Sequence, residues 1–378
     1  MKIAFITLGY KPMRTSGLDI SGERLVQGLL DKGHQVTVIA GKRAPISEAH
    51  AHPELEIYRI WLGRTDWIGF AYRAARLLKS LAPFDIVHFW DVHFSWAYRG
   101  VYLASLQHSF RQRRISLGRF SLDPSWIYRY AYYTLARYIA EIPSVRSSRG
   151  LLAGSSTTRD EFINCYDVNP GRIALAKHGV DTSFFRPVFN VQKVRDQLGI
   201  HSTDAVILFV GFITPRKGLE YLIRALPMIT PSPKLVIVGR WRNKSYRRQV
   251  FQLIDPMKNA VIEAGFVCDE LMPAYYTLAD VFVSPTLLEG FGLPLAEALA
   301  CGTPVVTAEA GSTAEVLGPG GVIVPRRDSE SLAAEISQLL QDGSLRRELG
   351  EKGRKHIQEN FNLEAMINDT LRAYQRFL

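Results

Sequence analysis

Apolar and polar positions follow two rhythms along this chain. Short runs rich in Val, Ile and Phe alternate with longer segments whose apolar residues recur every three or four positions. The first rhythm marks strands buried on both faces, and the second marks helices with one buried stripe. "KIAFITL" opens the chain as a strand, "GERLVQGLLDKG" follows as a helix and "HQVTVIA" as a second strand. Strand–helix–strand order predicts a parallel sheet with helices on both faces. "FDIVHFW", "VYLASLQH" and "RGLLAGS" add strands, the last leading into the helix "TTRDEFINCY". Periodicity then fails over "ALAKHGVDTSFFRPV", which ends in proline as a linker does.

The alternation restarts at "AVILFVGF". Helix "GLEYLIRALPMI", strand "KLVIVGR", a polar basic helix, "VIEAGFV", helix "LMPAYYTLAD" and strand "VFVSP" follow in turn. A Glu-Gly-Phe-Gly loop, helix "PLAEALACG" and strand "PVVTA" come next, and three helices close the chain. Two doubly wound α/β domains in tandem explain this order. Residues 1–185 form the first and 186–363 the second, with the final helix, about 364–378, returning to the first. Open α/β sheets bind ligands beyond the carboxyl ends of their strands, so the ligand is expected in a crevice between the domains. Residues 109–149 fit neither rhythm. They are rich in Arg, Tyr and Trp and read as the least regular part.

Composition narrows the class. An apolar content of 47% against 22% charged is that of a globular protein rather than a disordered one. The three cysteines are far apart, which speaks against a disulfide framework or zinc site and for a reducing cytosol. No uncharged run approaches the roughly 20 residues of a membrane span. A cytoplasmic protein, compatible with a place on the inner face of the membrane, is expected. The net charge of +10 is uneven: residues 1–188 hold 25 Lys and Arg against 15 Asp and Glu, and the remainder holds 21 of each. Any long-range pull on an anionic partner therefore belongs to the first half.

Candidate chemistry gathers around "LLEGFGLPLAEALACG". Pro294 suits the start of a helix, so "EGFGL" is the turn entering it. Glycines there let the backbone approach a ligand, and the free N–H groups with the helix dipole favour an anion such as phosphate. Carboxylates repel phosphate, so Glu289 and Glu297 make sense as acceptors for hydroxyls of the same ligand. A ligand with hydroxyls on both sides of a diphosphate is a sugar nucleotide. Glu297 would then reach ribose and Glu289 the sugar. A buried helix entrance with an acidic first turn is the plainer alternative. "GFITPRKGLEYLI" adds Arg216 and Lys217 at a second Gly-bounded turn, a pair of cations that suits a diphosphate.

On these residues the chain resembles family 4 glycosyltransferases of the GT-B fold, in which two Rossmann-like domains face each other across a cleft. "EGFGLPLAEALACGTPVV" resembles that family's E-x7-E signature, and "LLAGSSTTRDEFINCYDVNPGRIALAKHGVDTSFFRP" its interdomain segment, with His178 where Asn is commoner. "SGLDISGERLVQGLLDKGHQV" resembles its first loop and helix, with Gly17 at the glycine facing the donor phosphates. "GFITPRKG" matches its phosphate turn through Lys217, with Phe212 where the family usually has arginine. "LASLQHSF" resembles the strand whose closing histidine, here His108, lies beside the transferred sugar.

The resemblance implies transfer of a hexose from a nucleotide-diphosphate sugar (GDP-mannose or a UDP-hexose) with retention of configuration. Such transfer would serve cell-envelope polysaccharide, glycolipid or related glycan synthesis. His108, Glu289 and Lys217 would be catalytic. Gly17, Arg216, Lys217, Glu289, Gly290, Phe291, Gly292, Leu293 and Glu297 would hold the donor. It also implies no metal or other cofactor, and the chain contains no Asp-x-Asp. Charge on the leaving diphosphate would be met by Arg216, Lys217 and N–H groups near Gly292 and Leu293.

Two other readings stay open. A sugar-nucleotide 2-epimerase shares this fold but needs no acceptor, which the basic aromatic insert after His108 speaks for. A nucleic-acid binder is suggested by the charge and by "FRQRR", yet no recognised nucleic-acid motif is present, and no nucleic acid is expected as partner. The acceptor is expected to be anionic or lipid-linked and held by the first domain. In "WIGFAYRAARLLKSLAPF", Trp67, Phe70, Ala71, Ala74, Leu77, Leu78 and Leu81 recur at helical spacing, with Arg73, Arg76 and Lys79 largely on other faces. Such a helix either lies in a bilayer interface or packs on its own sheet.

Overall fold

The computed structural model describes residues 1–14, 16–46, 52–63, 67–81, 83–118 and 122–378. Arg119 and Phe120 of the basic insert lie outside the described residues. The chain divides into two units, residues 1–179 with 363–378, and residues 180–362.

The first unit is built on seven parallel strands: β1 (Lys2–Thr7), β2 (Gln35–Lys42), β3 (Leu55–Trp61), β4 (Ile86–Phe89), β5 (Leu103–Leu106), β6 (Gly150–Ala153) and β7 (Ile173–Leu175). Their order is β3-β2-β1-β4-β5-β6-β7. The second has six: β8 (Val206–Val210), β9 (Lys234–Val238), β10 (Val261–Gly265), β11 (Val281–Ser284), β12 (Val305–Ala308) and β13 (Gly321–Val324), ordered β10-β9-β8-β11-β12-β13. Both sheets are doubly wound, and both reverse direction beside their first strand, between β1 and β4 and between β8 and β11. At the first of these reversals every residue of β4 is buried.

Three strands escape the periodicity. β3 and β13 are edge strands and β7 is both short and terminal in its sheet. Half-exposed edges such as "LEIYRIW" carry Glu56 and Arg59 among their apolar residues, so no continuous run marks them.

The insert is a larger correction. Residues expected to be irregular form helices at Phe110–Ser116, Pro124–Ala136 and Ile142–Ser147, with a π-helical turn at Arg137–Glu141. They carry no buried apolar stripe to announce them. Ile127, Tyr128, Leu135, Tyr138 and Ile139 are all exposed.

The helix Trp67–Ser80 also differs from its bilayer reading. Phe70, Ala71 and Ala74 are fully buried, and Phe70 and Ala74 share a core with Ile6, Phe89 and Leu106. Its apolar stripe faces the sheet. The last helix, Leu363–Phe377, packs on the helix Gly17–Asp31 so closely that a Cβ on Gly28 would lie 2.1 Å from Ile367 Cδ1. Its buried Tyr374 hydroxyl lies 2.8 Å from Nδ1 of His88 on β4.

Candidate active site

At the reversal of the second sheet two loops leave adjacent strands. One follows β8 and turns through Pro215–Lys217 into the helix Leu219–Ala225; the other follows β11 and enters the helix Leu293–Ala300. They are laced together. Leu287 N–H donates to the Arg216 carbonyl at 2.8 Å, and Gly218, at φ +66°, lies so close to Pro285 that a Cβ would sit 2.1 Å from its carbonyl oxygen.

This lacing sets Arg216 and Lys217 beside Glu289. Lys217 Nζ donates to Glu289 Oε2, and Arg216 Nη1 lies 3.9 Å from Glu289 Oε1 while donating to the Leu288 carbonyl at 2.5 Å. Lys217 and Glu289 are each 9% exposed, so their charges meet where water screens little. Burial drives the Lys217 pKa down, Glu289 pulls against that, and Arg216 adds to the lowering; the net direction is down. Two cations against one carboxylate leave the cluster with a surplus of positive charge.

The helix Leu293–Ala300 opens from the same loop. Gly292 caps it at φ +93°, a conformation that suits glycine. Pro294 is its second residue, one place later than expected. Its first-turn N–H groups have no intrahelical acceptor and point out of the N-terminus, where the dipole favours an anion. Phe291 is buried and packs on Phe361 at 5.5 Å, so it offers a ligand only its backbone. Gly290 is pinned through its carbonyl by the Ser312 hydroxyl. Glu297 is buried on the helix and accepts from Tyr276 Oη at 2.9 Å, separately from the cation cluster. Tyr276 went unnoticed in the sequence, since an apolar-flanked tyrosine in "PAYYTLAD" reads as core.

The reversal of the first sheet is furnished differently. Gly17 begins the helix Gly17–Asp31, but the buried Asp19 accepts from Ser16 N–H at 2.9 Å, so a carboxylate of the chain already serves the helix entrance. Beyond β4, Asp91 Oδ1 lies 2.5 Å from Nδ1 of His93, whose Nε2 lies 2.9 Å from Glu141 Oε1. Glu141 is fully buried and also accepts from Phe110 N–H at 2.9 Å and from the Tyr166 hydroxyl. Burial lowers the His93 pKa, but Asp91 and Glu141 outweigh it and hold it at about 9. Burial raises the Asp91 pKa and His93 and Arg113 more than reverse this, so it lies below the ordinary carboxylate range. The sequence signal for this relay was Asp and His two apart in "WDVH", just past a strand. Glu141 could not be paired with it by spacing.

His108 follows β5, half-buried, one residue before the Ser109 cap of the helix Phe110–Ser116. His178 is buried, 3.2 Å from Ser21 Oγ and 3.4 Å from Gln107 Oε1, and burial holds its pKa at about 4. It is a neutral strut.

Two family models match the chain, one over each part: Glycosyltransferase Family 4 over residues 15–184 and Glycosyl transferases group 1 over residues 190–356. An uncharacterized glycosyltransferase of Methanocaldococcus jannaschii is 28% identical over 99% of this chain and 98% of its own length. Among solved structures, the sucrose-phosphate synthase of Thermosynechococcus elongatus superposes with a TM-score of 0.84 at 21% identity, covering 99% of this chain and 98% of that one. Anabaena HepE in complex with UDP-glucose gives 0.76 at 18%, covering 98% of each. The two doubly wound sheets are thus the GT-B architecture, and the protein belongs to the family 4 glycosyltransferases.

Proposed function

We propose that this glycosyltransferase takes a hexose from a nucleotide-diphosphate sugar and joins it, with retention, to a hydroxyl of an anionic or lipid-linked acceptor. The observation that carries the reading is the surplus positive charge of Arg216, Lys217 and Glu289 beside a helix N-terminus at the sheet reversal. A diphosphate on Lys217, Arg216 and the first-turn N–H groups leaves Glu289 and Glu297 for hydroxyls of the sugar and ribose. Lys217 already holds Glu289, so phosphate and carboxylate would share one ammonium, and its three donors allow this. His108 is assigned to the reacting sugar, as the resemblance implies, and Gly17 to the donor phosphates, although Asp19 opposes an anion there.

In the reaction the acceptor oxygen bonds to the anomeric carbon on the face the diphosphate leaves. The nucleoside diphosphate departs with the bonding electron pair, and its leaving oxygen accepts the hydroxyl proton. Positive charge from Arg216 and Lys217 is worth most on that leaving group. No metal is assigned to this role. We place such an enzyme in envelope polysaccharide, glycolipid or related glycan synthesis.

Among the described residues no helix is long and apolar enough to cross a membrane. We assign peripheral contact instead to the insert, where Ile127, Ala131, Leu135 and Tyr138 form an exposed stripe at helical spacing and Arg129 and Arg146 are exposed nearby. Basic residues beside exposed apolar ones suit an anionic leaflet.

A panel of UDP- and GDP-hexoses, UDP-glucose first, with glycolipid acceptors and EDTA present, tests the reading. Turnover with retention, seen by NMR of the new linkage, is the expected result; inversion or strict dependence on added manganese would contradict it.

A further inference from the structure

Three neighbouring strands end beside the candidate site: β8, β11 and β12. The loops after β8 and β11 carry Arg216, Lys217 and Glu289, whereas the loop after β12, residues 309–312, has no part in the donor reading above. That loop is closed by its own hydrogen bonds. Thr313 Oγ1 donates to the Ala308 carbonyl at 2.9 Å and accepts from Ala310 N–H at 2.9 Å, and both Ser312 and Thr313 are buried.

From this base the loop grips the backbone of Glu289 and Gly290. Ser312 N–H donates to the Glu289 carbonyl at 3.4 Å, and the Ser312 hydroxyl donates to the Gly290 carbonyl. Gly311, at φ +62°, makes the approach possible, because a Cβ on it would lie 1.9 Å from the Glu289 carbonyl oxygen. Ser312 stands at the entrance of the helix Thr313–Leu317, where a serine side chain ordinarily caps the first-turn N–H groups. It makes no such cap. Its hydroxyl serves the Glu289 loop rather than its own helix. In a trans peptide the N–H points opposite to the C=O, so carbonyls held on the Ser312 side turn the N–H groups of Gly290 and Phe291 the other way. The Glu289 side chain leaves this gripped segment to meet Lys217, and it passes Gly292 so closely that a Cβ there would lie 3.3 Å from Glu289 Cγ. Where its carboxylate sits therefore depends on where Ser312 holds the backbone.

We propose that Ser312 is a positioning residue for transfer, acting through Glu289 by fixing the Glu289–Gly290 backbone, with Gly311 as the residue that lets it reach. This deepens the donor reading above and rests on it. Glu289 is assigned there to the reacting sugar, so displacing it should slow the chemical step more than it weakens donor binding.

The experiment is steady-state transfer from a UDP- or GDP-hexose, UDP-glucose first. It compares wild type, Ser312→Ala, Ser312→Cys, Glu289→Ala and Ser312→Ala/Glu289→Ala, with thermal melts as a check on folding. Thr370→Val removes a buried hydroxyl from the last helix and serves as the control for lost stability. Ser312→Ala is expected to lower kcat on the order of tenfold, the scale of leaving one buried acceptor without its donor, and to leave the donor KM nearly unchanged. Ser312→Cys, with a weaker donor of similar size, should fall between Ser312→Ala and wild type. Thr370→Val should change neither constant. Added to Glu289→Ala, Ser312→Ala should cost little more, because the group it positions is already gone. Wild-type kcat in a folded Ser312→Ala, a loss confined to KM, or losses that multiply fully in the double variant would overturn the proposal. Should Ser312→Ala not fold, Ser312→Cys carries the test by the same criteria. A crippled Glu289→Ala beside a wild-type Ser312→Ala defeats this inference alone. Wild type that turns over no such donor, or wild-type kinetics in Glu289→Ala, defeats the donor reading first, and this inference falls with it.

Discussion

The two sheets share one strand order through six strands, yet their reversals carry opposite charge. At the second, Arg216 and Lys217 face one carboxylate, Glu289. At the first, two carboxylates, Asp91 and Glu141, clamp one imidazolium, His93. Topology places a ligand position in both, and the side chains decide what each can hold. A surplus cation beside a helix N-terminus suits a diphosphate. A surplus anion, with Asp19 already at the neighbouring helix entrance, suits hydroxyls instead. The first reversal is also sealed by its own hydrogen bonds, since Glu141 ties His93, Phe110 and Tyr166 into one buried group. That group joins the insert to the sheet.

The comparison breaks most visibly at Lys217. Its replacement by Ala should cost roughly 2–4 kcal/mol of transition-state stabilisation, as for removal of one preorganised charge, read as kcat/KM. Lys217→Arg should regain only part, because the guanidinium fork differs in shape. If Lys217→Ala keeps wild-type kcat/KM, the second reversal is not where charge develops.

The two glutamates sharpen it. Glu289→Ala should mainly lower kcat, because its partner Lys217 and the reacting sugar are both disturbed. Glu297→Ala should mainly raise the donor KM, on the order of tenfold, since ribose contacts are alike in ground and transition states. Steady-state kinetics on both variants separates these outcomes, and wild-type kinetics for both would remove the sugar-nucleotide assignment.

At the first reversal the readout is stability against pH. The His93 pKa is about 9 in the folded protein against an ordinary 6.5. A raised folded pKa adds stability that is fully present below about pH 6.5 and is lost as pH rises through about 9. Melting temperature should fall by a few degrees across that window, and His93→Gln should flatten the fall while lowering stability at pH 6. A wild-type curve that is flat from 6.5 to 9 would show that Asp91 and Glu141 do not hold a charged imidazole.

The smallest effect concerns the insert. Wild type should sediment with vesicles containing anionic lipid at low salt and be released by high salt. Ile127→Glu with Leu135→Glu should weaken this by the loss of two exposed apolar side chains and the gain of two repelling charges. Absence of binding at low salt would leave a water-soluble anionic acceptor.

What could be read from the residues follows burial. Strands buried on both faces, such as "VFVSP", announce themselves because every position is apolar, whereas edge strands β3 and β13 mix charge into the pattern. The insert hid its helices because their outer faces carry Tyr and Ile, which in most proteins would mark the inside. The stripe of Trp67–Ser80 had the same spacing whether it met sheet or lipid, and only the packing of Phe70 and Ala74 against Ile6 and Phe89 distinguishes the two. In the candidate site, Glu289, Arg216 and Lys217 were legible because each lies in a glycine-bounded turn, and Glu297 because it lies on the helix that the Glu289 turn enters. The direct contact of Lys217 with Glu289 was not, since the two lie 72 residues apart. The relay of Asp91, His93 and Glu141 was hidden for the same reason: its members meet across 48 residues of sequence.

The account stands on the second reversal being a diphosphate site, and calorimetry on Lys217→Ala tests this most directly. Wild type should bind UDP or GDP with EDTA present, and Lys217→Ala should lose most of that affinity while melting as a folded protein. Binding by the variant at wild-type affinity, or wild type that binds neither nucleotide, would contradict it.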